Sequence, residues 1–176
     1  MPADSLVYTG HYIDHELVSN IEADCAARAA RKKGGQPMRF LLTIGGAGAQ
    51  KEIFAAIIKK LLPAIKAGKA ALYVYCTNLL LRSCDVLVTK PSELAFYPVP
   101  KLFIKRVGGH ERWGAIHSAE IGDGTLECQD TAHTLQMVEL FINDDNLLAD
   151  MCGNIVRNKQ MGIYDGAYKV VELGLT

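Results

Sequence analysis

The hydrophobic positions of the chain alternate between two spacings, that of a buried strand and that of an amphipathic helix. Strands are predicted where short runs are apolar almost throughout, which is typical of a parallel sheet covered on both faces. These runs lie at 38–44, 70–75, 85–89 and 102–105, with a further short strand at 5–9. Apolar stripes at helical spacing predict helices at 14–33, 51–62, 92–96, 131–142 and 146–158.

Capping residues support several of these helix ends. Asp14 is expected to cap the first helix, Pro63 to end the second, and Asp144-Asp145 to cap the last. Strands that alternate with helices imply right-handed crossovers. The predicted fold class is therefore α/β, with an open, mostly parallel, Rossmann-like sheet flanked by helices.

One connection is unusually short. Only residues 76–84 separate the strands at 70–75 and 85–89, whereas a parallel crossover with its helix needs roughly a dozen residues. Either these two strands are not parallel neighbours joined by a helix, or a βα unit is absent from the chain.

Length and composition narrow the class of protein. The 176 residues fit a single domain, with an entry strand and helix at 1–37 and a core at 38–176. Nineteen acidic residues balance nineteen basic ones, so no overall field favours nucleic acid. No apolar run approaches the length of a membrane span, and no signal peptide is recognised. Five cysteines without a C-x-x-C pair indicate reduced thiols in a cytoplasmic setting and no zinc site.

The strand at 38–44 leads into a glycine-rich turn and a helix start. A turn of this kind points backbone N–H groups and the positive end of a helix dipole at one spot, which suits a phosphate. Lys51 stands where a dinucleotide fingerprint has its third glycine, and no acidic residue ends the next strand, so a NAD site is disfavoured. An alternative is a tight turn whose glycines meet only backbone geometry. The candidate binding residues are Gly45, Gly46, Ala47, Gly48, Ala49 and Gln50.

Polar residues also follow the strand at 85–89. Lys90 and Ser92 suit a phosphate, and the carboxylate of Glu93 suits the two hydroxyls of a ribose or sugar. The alternative interpretation is structural: Ser92 caps the short helix, and Glu93 favours its dipole.

A third polar loop follows the strand at 102–105. Gly109 frees the backbone there, and His110 and Glu111 offer a donor and an acceptor to a polyhydroxylated ligand, unless they are simply exposed loop residues. Open α/β sheets bind ligands outside the carboxyl ends of their strands. The three loops are therefore expected to form one rim.

These motifs, in this order, resemble the C-terminal half of GT-B glycosyltransferases, in the group that contains the lipid II N-acetylglucosaminyltransferase and monogalactosyldiacylglycerol synthases. The similarity covers roughly residues 38–158. It is carried by T-I-G-G-A-G-A-Q (43–50), C-D-V-L-V-T-K-P-S-E-L (84–94), P-K-L-F-I (100–104) and G-G-H-E-R-W-G-A (108–115).

The resemblance implies a nucleotide-sugar donor held in a cleft between two domains. The turn at 45–50 would lie near the diphosphate, Glu93 would hold the ribose, and the loop at 109–111 would contact the sugar. Three departures stand out: the acceptor-binding N-terminal half is missing, the βα unit before residue 85 is missing, and the loop at 90–92 is unusually compact.

The first hypothesis is a donor-binding domain of a GT-B hexosyltransferase, with a nucleoside-diphosphate sugar as substrate, no metal, no cofactor and no assigned catalytic residue. The second is a non-catalytic nucleotide-binding subunit or fragment that needs an acceptor-domain partner chain, or a homo-oligomer. The third is a small α/β protein that uses the glycine turn for another nucleotide.

A few other residues attract attention. His11 and His15 are four apart, but Asp14 as a helix cap leaves His11 outside the helix, so a metal site is disfavoured. Asp123 and Glu127 are expected in a solvated turn, and Trp113 is expected in the core.

Overall fold

The computed structural model of the chain describes residues 6–43, 50–74 and 78–175. Within these ranges four strands form one parallel sheet in the order β2-β1-β3-β4. The strands are β1 (Met38–Leu42), β2 (Ala70–Val74), β3 (Val86–Thr89) and β4 (Lys101–Phe103). Helices flank this sheet, so the prediction of an α/β fold with an open parallel sheet is confirmed.

Helices lie before, between and after the strands along the chain. They are α1 (His15–Ser19), α2 (Ile21–Lys33), α3 (Lys51–Lys66), α4 (Asn78–Ser83), α5 (Arg112–Glu120), α6 (Thr131–Asn143), α7 (Leu147–Gln160) and α8 (Gly166–Gly174). Two short 3-10 helices span Glu93–Phe96 and Gly109–Glu111.

The interior is apolar because the central strands are covered on both faces. Every residue of β3 is buried, as are four of the five in β1. Helix α2 packs against α7 and α3 against α6, and their buried side chains join those of the strands in one apolar cluster. The continuous apolar runs of the sequence follow from this two-sided cover.

The short connection crosses over β1 rather than joining adjacent strands. β2 and β3 lie on opposite sides of β1, and the eleven residues between them include the six-residue α4. The buried Arg28 of α2 holds this crossover: its Nε donates to Cys84 O (2.8 Å) and its Nη2 to Leu81 O (2.9 Å). Of the two alternatives raised by the sequence, the first is correct, since the strands are parallel but are not neighbours.

The outer edge of β4 is covered by the segment 123–128. Thr125 N donates to Lys101 O (3.0 Å), and Cys128 N donates to Phe103 O (2.9 Å). The Thr125 hydroxyl accepts from Phe103 N (3.1 Å). This edge strand therefore keeps its backbone groups bonded on both sides.

Several predicted boundaries differ from the structure. Residues 6–9 form no strand, although Tyr12 makes an antiparallel bridge with Asp165. Asp14 does precede a helix, but that helix ends at Ser19 and a second begins at Ile21.

Pro63 does not end α3, which continues to Lys66. A proline removes one N–H donor from a helix, and here Ala64 and Ile65 pack against the core beyond it. That packing keeps the last turn helical. Helices α4, α5 and α8 are not among the predicted elements.

Candidate functional site

The sheet changes its direction of winding between β1 and β3. From β1 the chain passes to β2 on one side, and from β3 it passes to β4 on the other. The carboxyl ends of β1 and β3 are neighbours, so the connections that leave them diverge. Open α/β sheets bind ligands in the crevice at such a point. The glycine turn follows β1 here, but its residues 45–49 lie outside the described part of the chain.

Of the loops at this point, the structure describes Gln50, residues 90–93 and residues 105–111, which together are called the rim. Gln50 is the residue before α3, and its side-chain amide donates to the carbonyl of Lys105 after β4. This bond passes from the loop after β1 to the loop after β4, beyond the intervening β3. The three loops that the sequence predicts to converge are thus partly linked.

Lys90 and Glu111 join two of these loops directly. Lys90 Nζ donates to Glu111 Oε1. Glu111 Oε2 accepts from the backbone N–H groups of Val107 (2.8 Å) and Gly108 (3.2 Å). The Glu111 side chain is buried, whereas Lys90 remains about one-third exposed (32%). Glu111 therefore organises the loop after β4 around the lysine that follows β3.

The ionisation of Glu111 reflects these partners. Burial by itself would raise its pKa, but the hydrogen bonds from Lys90, Val107 and Gly108 together lower the pKa below the ordinary value of 4.5. The carboxylate is consequently charged at neutral pH, and it forms an ion pair with Lys90.

The Glu93 carboxylate is only partly surrounded by hydrogen-bonding groups of the protein. It is exposed, and its pKa is lowered by its own backbone N–H, by the Ser92 hydroxyl and by the nearby Lys90. Ser92 does not cap the 3-10 helix through its side chain. The structural interpretation of Ser92 as a helix cap is therefore wrong, and its hydroxyl instead supports the Glu93 carboxylate.

The loop after β4 ends in a 3-10 turn that leads directly into α5. Gly109 and His110 are exposed on it. A Cβ on Gly108 would lie 2.7 Å from His110 Cε1, so the imidazole lies against the backbone where a side chain would otherwise be.

Helix α5 approaches the loop after β3 closely. A Cβ on Gly114 would meet Pro91 O at 2.7 Å and Ala95 Cβ at 3.0 Å. The neighbouring Trp113 is 68% exposed, so the prediction that it lies in the core is wrong. Gly114 and Ala115 occupy the buried face instead, and the Arg112 guanidinium lies over the Trp113 ring at 5.7 Å from its centroid.

Thr43 is the last described residue before the glycine turn. It is buried, and its Oγ1 has no hydrogen-bond partner among the residues that the structure describes. It lies at the carboxyl end of β1, beside the switch in winding.

A second polar cluster is buried beside β4. Asp123 is fully buried with Lys101, and it accepts from the Tyr164 hydroxyl (2.9 Å) and from the Ser118 hydroxyl. Burial lowers the pKa of Lys101 in spite of this partner, and burial together with Asp123 raises the pKa of Tyr164. Glu127 accepts from the backbone N–H of Arg106 (3.0 Å) and from its guanidinium. The expectation of a solvated turn is wrong for both carboxylates.

The described histidines and cysteines do not cluster as the ligands of a metal site would. His11 is buried and His15 is exposed. Among residues 6–43, 50–74 and 78–175, no group of three or more His, Cys, Asp or Glu side chains could hold a metal ion. Four of the cysteines are free thiols in the interior: Cys25, Cys84, Cys128 and Cys152.

Comparison with known proteins gives one family. A family model described as Domain of unknown function (DUF6938) matches residues 1–74 and 73–175. The two matched segments meet at the end of β2, where the short crossover begins. No curated protein matches the chain. In the described ranges, no helix has both the length and the apolar character needed to cross a bilayer.

Proposed function

This chain belongs to the family described as Domain of unknown function (DUF6938), and from the geometry of its rim we propose that it is a donor-binding domain of the GT-B glycosyltransferase type. In this proposal the crevice binds a nucleoside-diphosphate sugar, whose glycosyl group is transferred to an acceptor. The observation that carries the proposal is that Gln50 and the polar loops after β3 and β4 meet where the winding of the sheet reverses.

The chemistry of the rim supports such a ligand. The Glu93 carboxylate is exposed and charged, and such a group accepts hydrogen bonds from the two hydroxyls of a ribose. Lys90 places a cation beside it, although one of its hydrogen bonds is already given to Glu111. The glycine turn between β1 and α3 has the sequence pattern that offers backbone N–H groups to a diphosphate.

The role assigned to these groups is to stabilise charge on the departing diphosphate. Transfer would proceed by attack of an acceptor hydroxyl on the anomeric carbon, with the sugar–phosphate bond breaking and the electron pair leaving on the diphosphate oxygen. Backbone N–H groups and a helix dipole aimed at that oxygen favour its departure. No residue of this chain is assigned as the base that removes the acceptor proton.

Titration calorimetry tests the proposal. The ligands are uridine, guanosine and adenosine diphosphates and their hexose conjugates, added to the wild-type chain, to Glu93→Gln and to Glu120→Gln. Glu120 is an exposed carboxylate at the far end of α5, so it is the matched control. We expect Glu93→Gln to bind about 10- to 100-fold more weakly, the usual cost of losing charge-assisted hydrogen bonds, and the control to bind as the wild type does. The absence of heat and of thermal stabilisation with every ligand would reject the proposal.

A second candidate function is a nucleotide-binding subunit that acts only with a partner chain. An exposed apolar surface favours it, because large apolar patches mark interaction sites. Helix α8 buries only Gly166 fully against the chain, and a nine-residue helix has little stability on its own in water. The exposed apolar side chains of this region are Leu6, Val7, Tyr8, Tyr12, Tyr168, Val170, Val171, Leu173 and Leu175.

Light scattering and transferase assays separate the two candidates. The subunit hypothesis predicts no transfer by the isolated chain, together with transfer after an acceptor-domain chain is added. Val171→Glu, on the exposed face of α8, should then prevent the association without altering nucleotide binding. Full transferase activity from the isolated chain would exclude this second function.

A further inference from the structure

The N-terminal segment, residues 6–14, is held against the body of the chain around His11. The backbone N–H of His11 donates to Ile163 O (2.6 Å), and His11 O accepts from Gly166 N (2.9 Å). Gly10 has φ 90°, and a Cβ on it would lie 2.6 Å from Ile163 O. The segment is therefore fitted closely to the residues between α7 and α8.

The His11 side chain reaches two other elements. Its Nδ1 lies 3.0 Å from Phe96 O at the end of the 3-10 helix Glu93–Phe96, and its Nε2 lies 2.9 Å from Nε2 of His117 on α5. The ring meets those of Phe96, His117 and Tyr164 edge-on, with centroids 5.0–5.6 Å apart. One imidazole thus links the N-terminal segment to the 3-10 helix that carries Glu93 and to α5, which directly follows the loop 105–111.

These contacts determine where the protons lie. A carbonyl oxygen only accepts, so His11 Nδ1 carries a hydrogen toward Phe96. A neutral imidazole has one N–H, which leaves His11 Nε2 as an acceptor and makes His117 Nε2 the donor between the two rings. With a proton added to each ring, both Nε2 atoms would carry a hydrogen and two like charges would face each other, so the bond would end.

The other charged or titratable groups around His11 do not replace this contact. Asp123 and Lys101 lie near enough to influence it, but they are paired with each other. The Tyr164 hydroxyl is committed to Asp123. Imidazole is the side chain whose charge ordinarily changes between pH 5 and 8, so the response in this range is assigned to the buried His11.

We propose that the His11–His117 contact is a proton-sensitive latch, which holds the N-terminal segment against α5 and the 3-10 helix Glu93–Phe96 and releases it as the pH falls. The latch requires at least one neutral ring in this pair, because two protonated rings leave no acceptor nitrogen between them. Its operation does not depend on which ligand the rim binds, so it stands apart from the proposed function.

The direction of the pH effect follows from the location of His11. Burial, and then the neighbouring His117, lower its pKa below the ordinary 6.5. The released segment therefore binds the proton more readily than the docked one. Docking is fully favoured above pH 6.5 and weakens below it, by up to tenfold per pH unit for one linked proton, until the pKa of the docked state is reached.

Amide hydrogen exchange measured by NMR tests the latch. The reporters are the N–H groups of His11 and Gly166, with protection factors corrected for the intrinsic pH dependence of exchange. Between pH 7.5 and 5.5 we expect their protection in the wild type to fall severalfold, up to about tenfold for one linked proton. His11→Gln offers a donor and an acceptor without titrating, so its protection should not change with pH. His133→Gln, which alters a histidine on α6, should behave as the wild type does.

Two results would overturn the latch: constant protection in the wild type, or an equal loss in a docked His11→Gln variant. If that variant fails to dock, the imidazole of wild-type His11 decides the question through its own NMR titration. A midpoint below 6.5 supports the latch, and a midpoint at 6.5 or above overturns it.

Discussion

Lys101 Nζ lies 2.8 Å from Asp123 Oδ2, although neither side chain is exposed to solvent. The ammonium also donates to Tyr97 O (2.8 Å) and Val99 O (3.1 Å). Each charge is therefore both paired and hydrogen-bonded, the condition under which a buried ion pair is tolerated. The pair fixes β4 to the turn after α5.

Replacing Asp123 by asparagine should leave the Lys101 charge buried and unpaired. We expect a loss of about 3–5 kcal/mol in the free energy of unfolding, measured with urea. Tyr164→Phe is the matched control, because it removes a single hydroxyl from the same carboxylate and should cost about 1–2 kcal/mol. Equal losses in the two variants would contradict the ion-pair argument.

Arg28 is expected to be the main anchor of the short crossover. Arg28→Ala would leave the carbonyls of Leu81 and Cys84 without their donor and would open a cavity, so it should cost about 3 kcal/mol or more. Lys33→Ala removes an exposed cation from the same helix and should change stability by less than about 0.5 kcal/mol. Denaturant unfolding of both variants provides the measurement, and a small effect at Arg28 would mean that the crossover does not depend on it.

Two helical glycines should respond oppositely to alanine. Gly114→Ala places a methyl group against Pro91 O and Ala95, and it should cost about 1–3 kcal/mol through overpacking. Gly153 lies in α7 with open space around its Cβ position, so Gly153→Ala should gain about 0.5–1 kcal/mol from helix propensity. Thermal unfolding checks both signs, and stabilisation by Gly114→Ala would show that α5 does not lie so close to the loop after β3.

Trp113 should behave as an exposed reporter beside the rim. It is the only tryptophan of the chain, so its fluorescence needs no assignment. We expect acrylamide to quench it nearly as efficiently as free tryptophan, and Trp113→Phe to leave stability within about 0.5 kcal/mol. Strong protection from acrylamide would contradict its exposure.

Glu111 should make stability depend on pH in the acid range. Its folded pKa is depressed, so its contribution is fully present above the ordinary 4.5 and is lost as the pH falls through the lower folded value. Glu111→Gln should be less stable than the wild type at pH 6, and the difference should shrink toward pH 3. Urea unfolding across this range measures it. A difference that stays constant with pH would argue against a depressed pKa.

The strand pattern was readable from the sequence because both faces of the sheet are covered. The boundaries of β1 and β3 each differ from the predicted runs by at most two residues. A short run that is apolar throughout is typical of a strand buried on both faces, so these two strands were easy to predict. The order of the strands could not be read in the same way, since it depends on how 75–85 crosses over β1.

The errors occur where tertiary contacts overrule local signals. Asp123 is preceded by Gly122 and followed by Gly124, a typical exposed turn, and only the fold brings Lys101 and Tyr164 to it. Trp113 is large and apolar, which favours the core, yet Gly114 takes the buried position because backbone atoms lie too close for any side chain. Helix α8 buries only Gly166, so its apolar side chains stay outside the core.

The candidate site was predictable as a set of loops but not as a set of contacts. Position after a strand is enough to bring Lys90 and Glu111 to the same end of the sheet. Nothing in their separation along the chain indicates that they form an ion pair. The sequence also does not indicate that the backbone N–H of Val107 donates to the second carboxylate oxygen of Glu111. The role of His11 in joining three elements likewise depends on side-chain geometry alone.

The covered outer edge of β4 limits how this molecule can associate through its backbone. An uncovered edge strand is a template for pairing with a strand from another chain. Since residues 123–128 already occupy the donors and acceptors on that side, an added strand would first have to displace them. Any extension of the sheet by a second molecule is thereby directed to the opposite side, next to β2.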